Sequence, residues 1–253
     1  MSGRHYFWAI VLLFTSCVSF FQRSEFKRGL DFYEKGDFLE ASEYFNTYYV
    51  KHPESETTLY YLYDCYHKLN QPEKNFQVLQ QFVKLGSKDE NVYLNLFHYY
   101  QKNARYRDLY VLLTELKSPM QDKLDEYYGL TRGLYAEIVN GAFGVKERSD
   151  PMVFAISHGF LPVFPDNKFY DDDTITQGNL IILLDQLVAP SYPKKFFNMK
   201  HISNRSFIYL PYMRLVDIGV LGFNPELNPV DYATISMVVT ALENLKRGGF
   251  IEY

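Results

Sequence analysis

Apolar and small positions in the first half of the chain repeat every 34 residues. Phe32, Tyr66 and Tyr100 occupy one position of the repeat, Gly36, Asn70 and Ala104 a second, and Phe45, Leu79 and Leu113 a third. A fixed period of this length marks stacked helix pairs, which bury their apolar faces only against one another. The spacing predicts helix pairs over about 22–35 and 38–50, 54–69 and 72–85, and 89–102 and 106–116, with a closing helix over about 121–140. Gly36-Asp37 is the first expected turn, Pro53 a break, Pro72 a first helical turn and Gly86 a helix end. Gly29 and Ala41 are small where the first two helices should cross, and Phe45 should fill the space toward the next pair.

The pattern changes at Gly141-Ala142-Phe143-Gly144. A short helix is expected over about 151–158, then a loop over 159–173, then a helix after Thr174-Ile175-Thr176. The apolar positions Leu180, Ile181, Leu183, Leu184, Leu187 and Val188 form the buried stripe of that helix. A shorter copy follows. Residues 159–165 align with 219–225, and Ile175-Thr176 with Leu227-Asn228; Pro229 is expected to open a helix reaching about 246, after one over about 206–218. The expected organisation is all-α: a helical-hairpin array over 22–141, then a domain over 150–253 with two helix-loop-helix modules, about 150–188 and 203–246.

The first 17 residues read as an export signal. Arg4 and His5 precede an apolar run over 6–14, too short to cross a bilayer, and Thr15-Ser16 stand directly before Cys17. Small residues before a cysteine resemble the lipobox of bacterial lipoproteins, in the relaxed form found in spirochaetes. The resemblance implies acylation of Cys17 and an exported chain anchored to a bacterial membrane, facing the periplasm. An ordinary cleaved signal and an uncleaved anchor are the other readings. With Cys17 lipidated only Cys65 remains, so no internal disulfide forms. Cys65 lies among aromatics on an expected helix and reads as a buried apolar thiol.

Composition narrows the function. A hydrophobic share of 47% in 253 residues supports a real core. The net charge of −4 supplies no phosphate-neutralising face, which argues against nucleic acid as a partner. The chain has no phosphate-cradling glycine loop, paired-cysteine zinc pattern or nucleophile elbow. Asp171-Asp172-Asp173 lacks the alternating oxygen ligands of a calcium loop and reads as a solvated turn. No catalytic residue, metal or cofactor is expected.

The first half resembles the tetratricopeptide family over roughly 95 residues, best in its first unit. In that family the first helices of each pair line a groove for peptide segments. By register the resemblance places Arg23, Phe26, Tyr33, Tyr60, Asp64, His67, Asn91, His98 and Gln101 in the groove. An aromatic stripe at helical spacing is equally a packing face. The second half resembles the S-layer homology module through Ala155-Ile156, Gly159-Phe160-Leu161, Pro165-Asp166-Asn167, Phe169 and Ile175-Thr176. That family commonly sets three modules around a pseudo-threefold axis, and an arginine and an acid after the threonine contact an anionic wall polymer. Gln177-Gly178-Asn179 and Val230-Asp231-Tyr232 stand in those places here. The resemblance gives Asp166, Asn167, Thr176, Gln177 and Asn179 as possible polymer contacts. The basic residues Lys194, Lys195 and Arg205 join them, or form a solvated charge run.

Together these features lead to a non-catalytic, lipid-anchored envelope scaffold. It would hold an envelope protein or peptide in its groove and contact peptidoglycan or an associated polymer. A peptide-binding adaptor in outer-membrane protein assembly, and an enzyme subunit without a recognisable site, are the alternatives.

Overall fold

The computed structural model describes residues 25–117, 119–144 and 150–250. Regular structure among them is helical, in twelve helices, with two isolated antiparallel bridges. The chain forms two compact units that divide between Leu96 and Phe97.

The first unit is built of helical hairpins: α1 (residues 25–34), α2 (Phe38–Lys51), α3 (Glu56–Lys68), α4 (Pro72–Lys84) and the start of α5 (Glu90–Lys102). Phe45 is fully buried, and a Cβ on Gly29 would stand 2.7 Å from its ring. The glycine therefore lets α1 approach α2, and the Phe45 ring continues onward to stack on Tyr61 at 4.9 Å. Ala41 is buried beside it, as its small size requires. Burial pushes the Cys65 thiol up to about 12, so it is an apolar filler and not a nucleophile.

The 34-residue register is written into the backbone. Gly36, Asn70 and Ala104 all adopt positive φ, at 82°, 51° and 52°. Each ends a helix with the same two hydrogen bonds. Gly36 N–H donates to Tyr33 O, Asn70 to His67 O and Ala104 to Gln101 O; the next N–H donates to Phe32 O, Tyr66 O and Tyr100 O in turn. This left-handed stop satisfies carbonyls that the helix end would otherwise leave unpaired.

The second unit contains α6 (Tyr106–Glu115), α7 (Met120–Tyr127), α8 (Arg132–Phe143), α9 (Pro151–Ser157), α10 (Gln177–Asp185), α11 (Tyr209–Asp217) and α12 (Ile235–Arg247). Helix α8 packs on α6 and α9, α10 on α11, and α12 on α6, α7 and α8. At the α6–α8 contact a Cβ on Gly141 would meet Tyr106 O at 2.0 Å, so only glycine fits. Its core includes Tyr135, Ile138, Leu180, Leu184, Tyr212, Val238 and Leu242, each fully buried.

Two expected helices differ. The closing helix over 121–140 is broken into α7 and α8, because Tyr128 leaves helical geometry and Thr131 caps a new start. The helix expected from Pro229 begins at Ile235, since Pro229 O instead accepts a hydrogen bond from Gly178 N–H and Thr234 supplies the cap. The segment 97–141 clusters with the C-terminal residues, although composition changes only at 141–144.

Ala104 carries a side chain where the turn favours none. Ala104→Gly should raise stability by about 1 kcal/mol, read as a higher urea midpoint with an unchanged slope. A lower midpoint would mean the turn is not left-handed.

Candidate functional site

In the first unit most of the expected groove residues are engaged by other side chains of the unit. Tyr33 donates to Asp64 Oδ2 at 2.6 Å and lies edge-on to Tyr61. Phe26 packs among Phe45, Tyr48 and Tyr61. Tyr60 donates to Asp89 Oδ2 at 2.8 Å and lies against Phe82. The Asn91 amide donates to Asp89 Oδ1 at 3.1 Å, and His67 is exposed. In the second unit Gln101 donates to Glu137 Oε2 at 2.7 Å while His98 is exposed. Burial raises the Glu137 carboxyl, and the Gln101 amide opposes that rise. Arg23 and Cys17 lie outside the described residues. Hydrogen-bonded phenol–carboxylate pairs thus join successive helical hairpins across this face.

The second unit holds a repeated seam. Three helices begin with a threonine whose Oγ1 accepts the third N–H: Thr131 from Leu134, Thr176 from Asn179, and Thr234 from Met237. The first two N–H groups of α8 reach into the following loop, Arg132 to Asp173 O and Gly133 to Asp171 O, both at 2.9 Å. Those of α10 do the same, Gln177 to Asp231 O at 2.8 Å and Gly178 to Pro229 O at 3.0 Å. Just before the caps, Ile175 N–H donates to Leu130 O and Ala233 N–H to Ile175 O. A Cβ on Gly178 would crowd Pro229 O at 3.0 Å, which explains the small residue two places after the threonine. At α12 the partner is a side chain: Ser236 donates from both N–H and Oγ to the Asp125 carboxylate on α7. Three helix-loop-helix modules are thereby linked, α7–α8, α9–α10 and α11–α12. The corresponding cap of the last module is Ala233-Thr234 and not Leu227-Asn228.

The loops of the last two modules also correspond. Gly159 and Gly219 both have positive φ, 77° and 78°. Phe160 and Leu161 donate to Ala155 O just as Val220 and Leu221 donate to Leu215 O. Asn167 takes the left-handed turn at φ 58°.

The seams differ in what fills them. At the first, Arg132 is only 7% exposed; Nε donates to Phe169 O at 3.0 Å, Nη2 to Pro162 O at 3.1 Å, and the guanidinium lies 4.4 Å from the Phe164 ring centre. Burial lowers its pKa, against the attraction of Asp173 and Asp171. At the second, Gln177 is in the matching place, and Gly222 and Asn224 align with Pro162 and Phe164. The shorter side chain leaves an open cleft of about 300 Å³, bordered by Gln177, Leu221, Gly222, Asn224, Ser236, Met237 and Thr240. Tyr212 closes its floor, its hydroxyl accepting from Asn224 N–H at 2.7 Å.

The other residues expected at a polymer site are dispersed in role. Thr176 is used as a cap. Asp166 accepts from the Tyr170 hydroxyl and from Lys168 N–H, which hold its carboxyl low. Asn179 is exposed on α10, and Lys194, Lys195 and Arg205 are exposed on the connection from α10 to α11. The aspartate run over 171–173 serves through its carbonyls. Among the described residues no group of three or more His, Cys, Asp or Glu is placed to hold a metal ion, and no helix is long and apolar enough to cross a membrane. No family model, curated protein or solved structure matches the chain.

Sequence reasoning missed Thr131, Arg132, Thr234 and Ser236. The signal that finds them is an apolar residue, threonine, any residue, then glycine or serine, present at 130–133, 175–178 and 233–236.

Arg132→Ala should destabilise the chain by about 2–3 kcal/mol, because the Phe169 and Pro162 carbonyls lose a charged donor and the packed guanidinium stem is removed, and Arg132→Lys should not restore it. Urea unfolding checks this; a loss under 1 kcal/mol would remove Arg132 as the seam's anchor. Tyr33 provides a pH test. Its phenol is pushed from 10.0 up to about 12, chiefly by the Asp64 hydrogen bond and then by burial. The folded state holds this proton more tightly, so the contribution is complete below pH 10 and is lost as pH rises from 10 through about 12. The stability margin of wild type over Tyr33→Phe should therefore shrink across that window.

Proposed function

We propose that the chain is a non-catalytic, lipid-anchored scaffold of a bacterial envelope that ties the membrane to a wall polymer or to a protein complex. The observation that carries this reading is the set of three threonine-capped helix-loop-helix modules, each with its inner helix seated on its neighbour. Three linked modules are the arrangement that the S-layer homology resemblance implies, and α7–α8 supplies the copy that two loop motifs lacked. The repeat-like hairpins of the first unit support a binding role, since such arrays present side-chain faces and not reaction centres. The leader resembling a lipoprotein signal supports the anchor through Cys17.

The cleft beside Gln177 is the polymer contact in this reading. An amide at Gln177, a hydroxyl at Thr240 and an apolar wall at Leu221 and Met237 suit a sugar that offers both hydroxyls and a C–H face. Arg132 is committed to the loop of the next module, so the contact does not depend on an arginine–anion pair.

Sedimentation with purified peptidoglycan sacculi tests the proposal on the full chain. Wild type should pellet, and Gln177→Ala combined with Met237→Ala should lose at least tenfold in affinity with an unchanged circular dichroism spectrum. Failure of wild type to pellet, or equal pelleting of the double variant, would remove wall contact at this cleft.

A further inference from the structure

The connection from α10 to α11 carries an uncompensated charge. Residues 186–208 contain Lys194, Lys195, Lys200 and Arg205 and no acid, in a chain whose net charge is −4. Arg214 follows on α11, and Asp217 at the end of α11 meets the segment, among the described residues, only at the Lys194 N–H. Arg214 is consumed by Asp185 at 2.9 Å, and Lys200 by Glu226 at 2.6 Å. Lys194, Lys195 and Arg205 are exposed and make no ion pair among the described residues.

Aromatic rings accompany these cations along the segment, Tyr192 before Lys194, Phe196 after Lys195 and Phe207 after Arg205. Tyr192 is 76% exposed, Phe207 78% and Phe196 47%, the two phenylalanines being among the four exposed ones of the described residues. Tyr192 contacts Phe196 at 5.5 Å, and Phe196 lies over Tyr209 at 6.4 Å. With Leu210 they border one broad depression of about 480 Å³. The segment has no regular helix of its own; Tyr209 O–H to Phe197 O and Arg214 Nε to Ser191 O fasten it to α11. The rings are thus held outward on a pinned strap.

We propose that this strap is a membrane-surface contact that takes anionic phospholipid, with Phe196, Phe207 and Tyr192 entering the headgroup boundary and Lys194, Lys195 and Arg205 meeting the phosphates. It rests on the envelope reading for the choice of lipid. Exposed phenylalanines beside unpaired cations suit the interface between headgroups and acyl chains, where apolar rings leave water and cations meet negative lipid. A wall glycan is the weaker occupant, because the depression that Tyr192 and Phe196 border leaves out Phe207, the most exposed ring, and all three unpaired cations.

The test is flotation of the full chain with vesicles of phosphatidylcholine alone and of an equal mixture with phosphatidylglycerol. The apolar leader contributes to both, so the difference reports the strap. The anionic vesicles should bind more tightly, and added salt should reduce the difference. Lys194→Glu/Lys195→Glu/Arg205→Glu should abolish the preference, a loss of roughly a hundredfold for three surface cations. Phe196→Ser/Phe207→Ser should weaken binding at high salt with an unchanged circular dichroism spectrum. Equal partition into both vesicles, or a preference that survives the charge reversal, overturns the proposal. So does a charge reversal that abolishes pelleting with sacculi while leaving vesicle binding intact, which would give the strap to a polymer. Loss of sacculus binding through the Gln177 cleft alone leaves the strap standing, so the two readings fail separately.

Discussion

The second unit depends on how three helices begin. A helix start leaves N–H groups without partners inside the helix, and burying them unpaired is costly. Here the first two N–H groups of α8 and of α10 find carbonyls in the loop of the next module, and the third finds its own threonine. Satisfying a helix end and joining two modules are the same event. That constraint dictates the small residue at 133 and 178, the threonines before them, and the extended entry at Leu130, Ile175 and Ala233.

Once this frame is set, the differences between modules are local. An arginine fills one seam, a glutamine leaves the next open, and a serine meets a carboxylate at the last. The chemistry available at each seam is therefore decided by the first two residues after the threonine and the residues opposite them. The first unit follows another rule. Its hairpins are spaced by a left-handed stop every 34 residues and joined by phenols that donate to carboxylates on the next hairpin.

Much of the helical half was legible because its signals are local. Gly36, Asn70 and Ala104 mark turns, Gly29 and Phe45 mark a crossing, and each depends on neighbours a few residues or one repeat away. The loop motif was legible for the same reason at Gly159, Asn167 and Thr176. The break at Tyr128 was not, since residues 121–140 have helical periodicity throughout and what stops α7 is the pairing of Leu130 with Ile175. Pro229 misled because proline favours a first turn, yet its carbonyl is claimed by Gly178 from far along the chain. Groove residues were chosen by register, and register is silent on whether Tyr33 meets a ligand or Asp64. Of the expected polymer contacts only Gln177 borders the cleft, because the others were selected by motif and not by depth.

The Asp125–Ser236 contact sets the order in which the unit can be assembled. Its partners are 111 residues apart, whereas the bridges Thr131–Thr174 and Thr176–Tyr232 close shorter stretches. Longer loops cost more entropy to close, so the two backbone seams can form as the chain is made and the carboxylate clasp comes last. Synthesis from the N-terminus completes α7 long before α12, and until α12 arrives the α7 face that meets Ser236 stays uncovered.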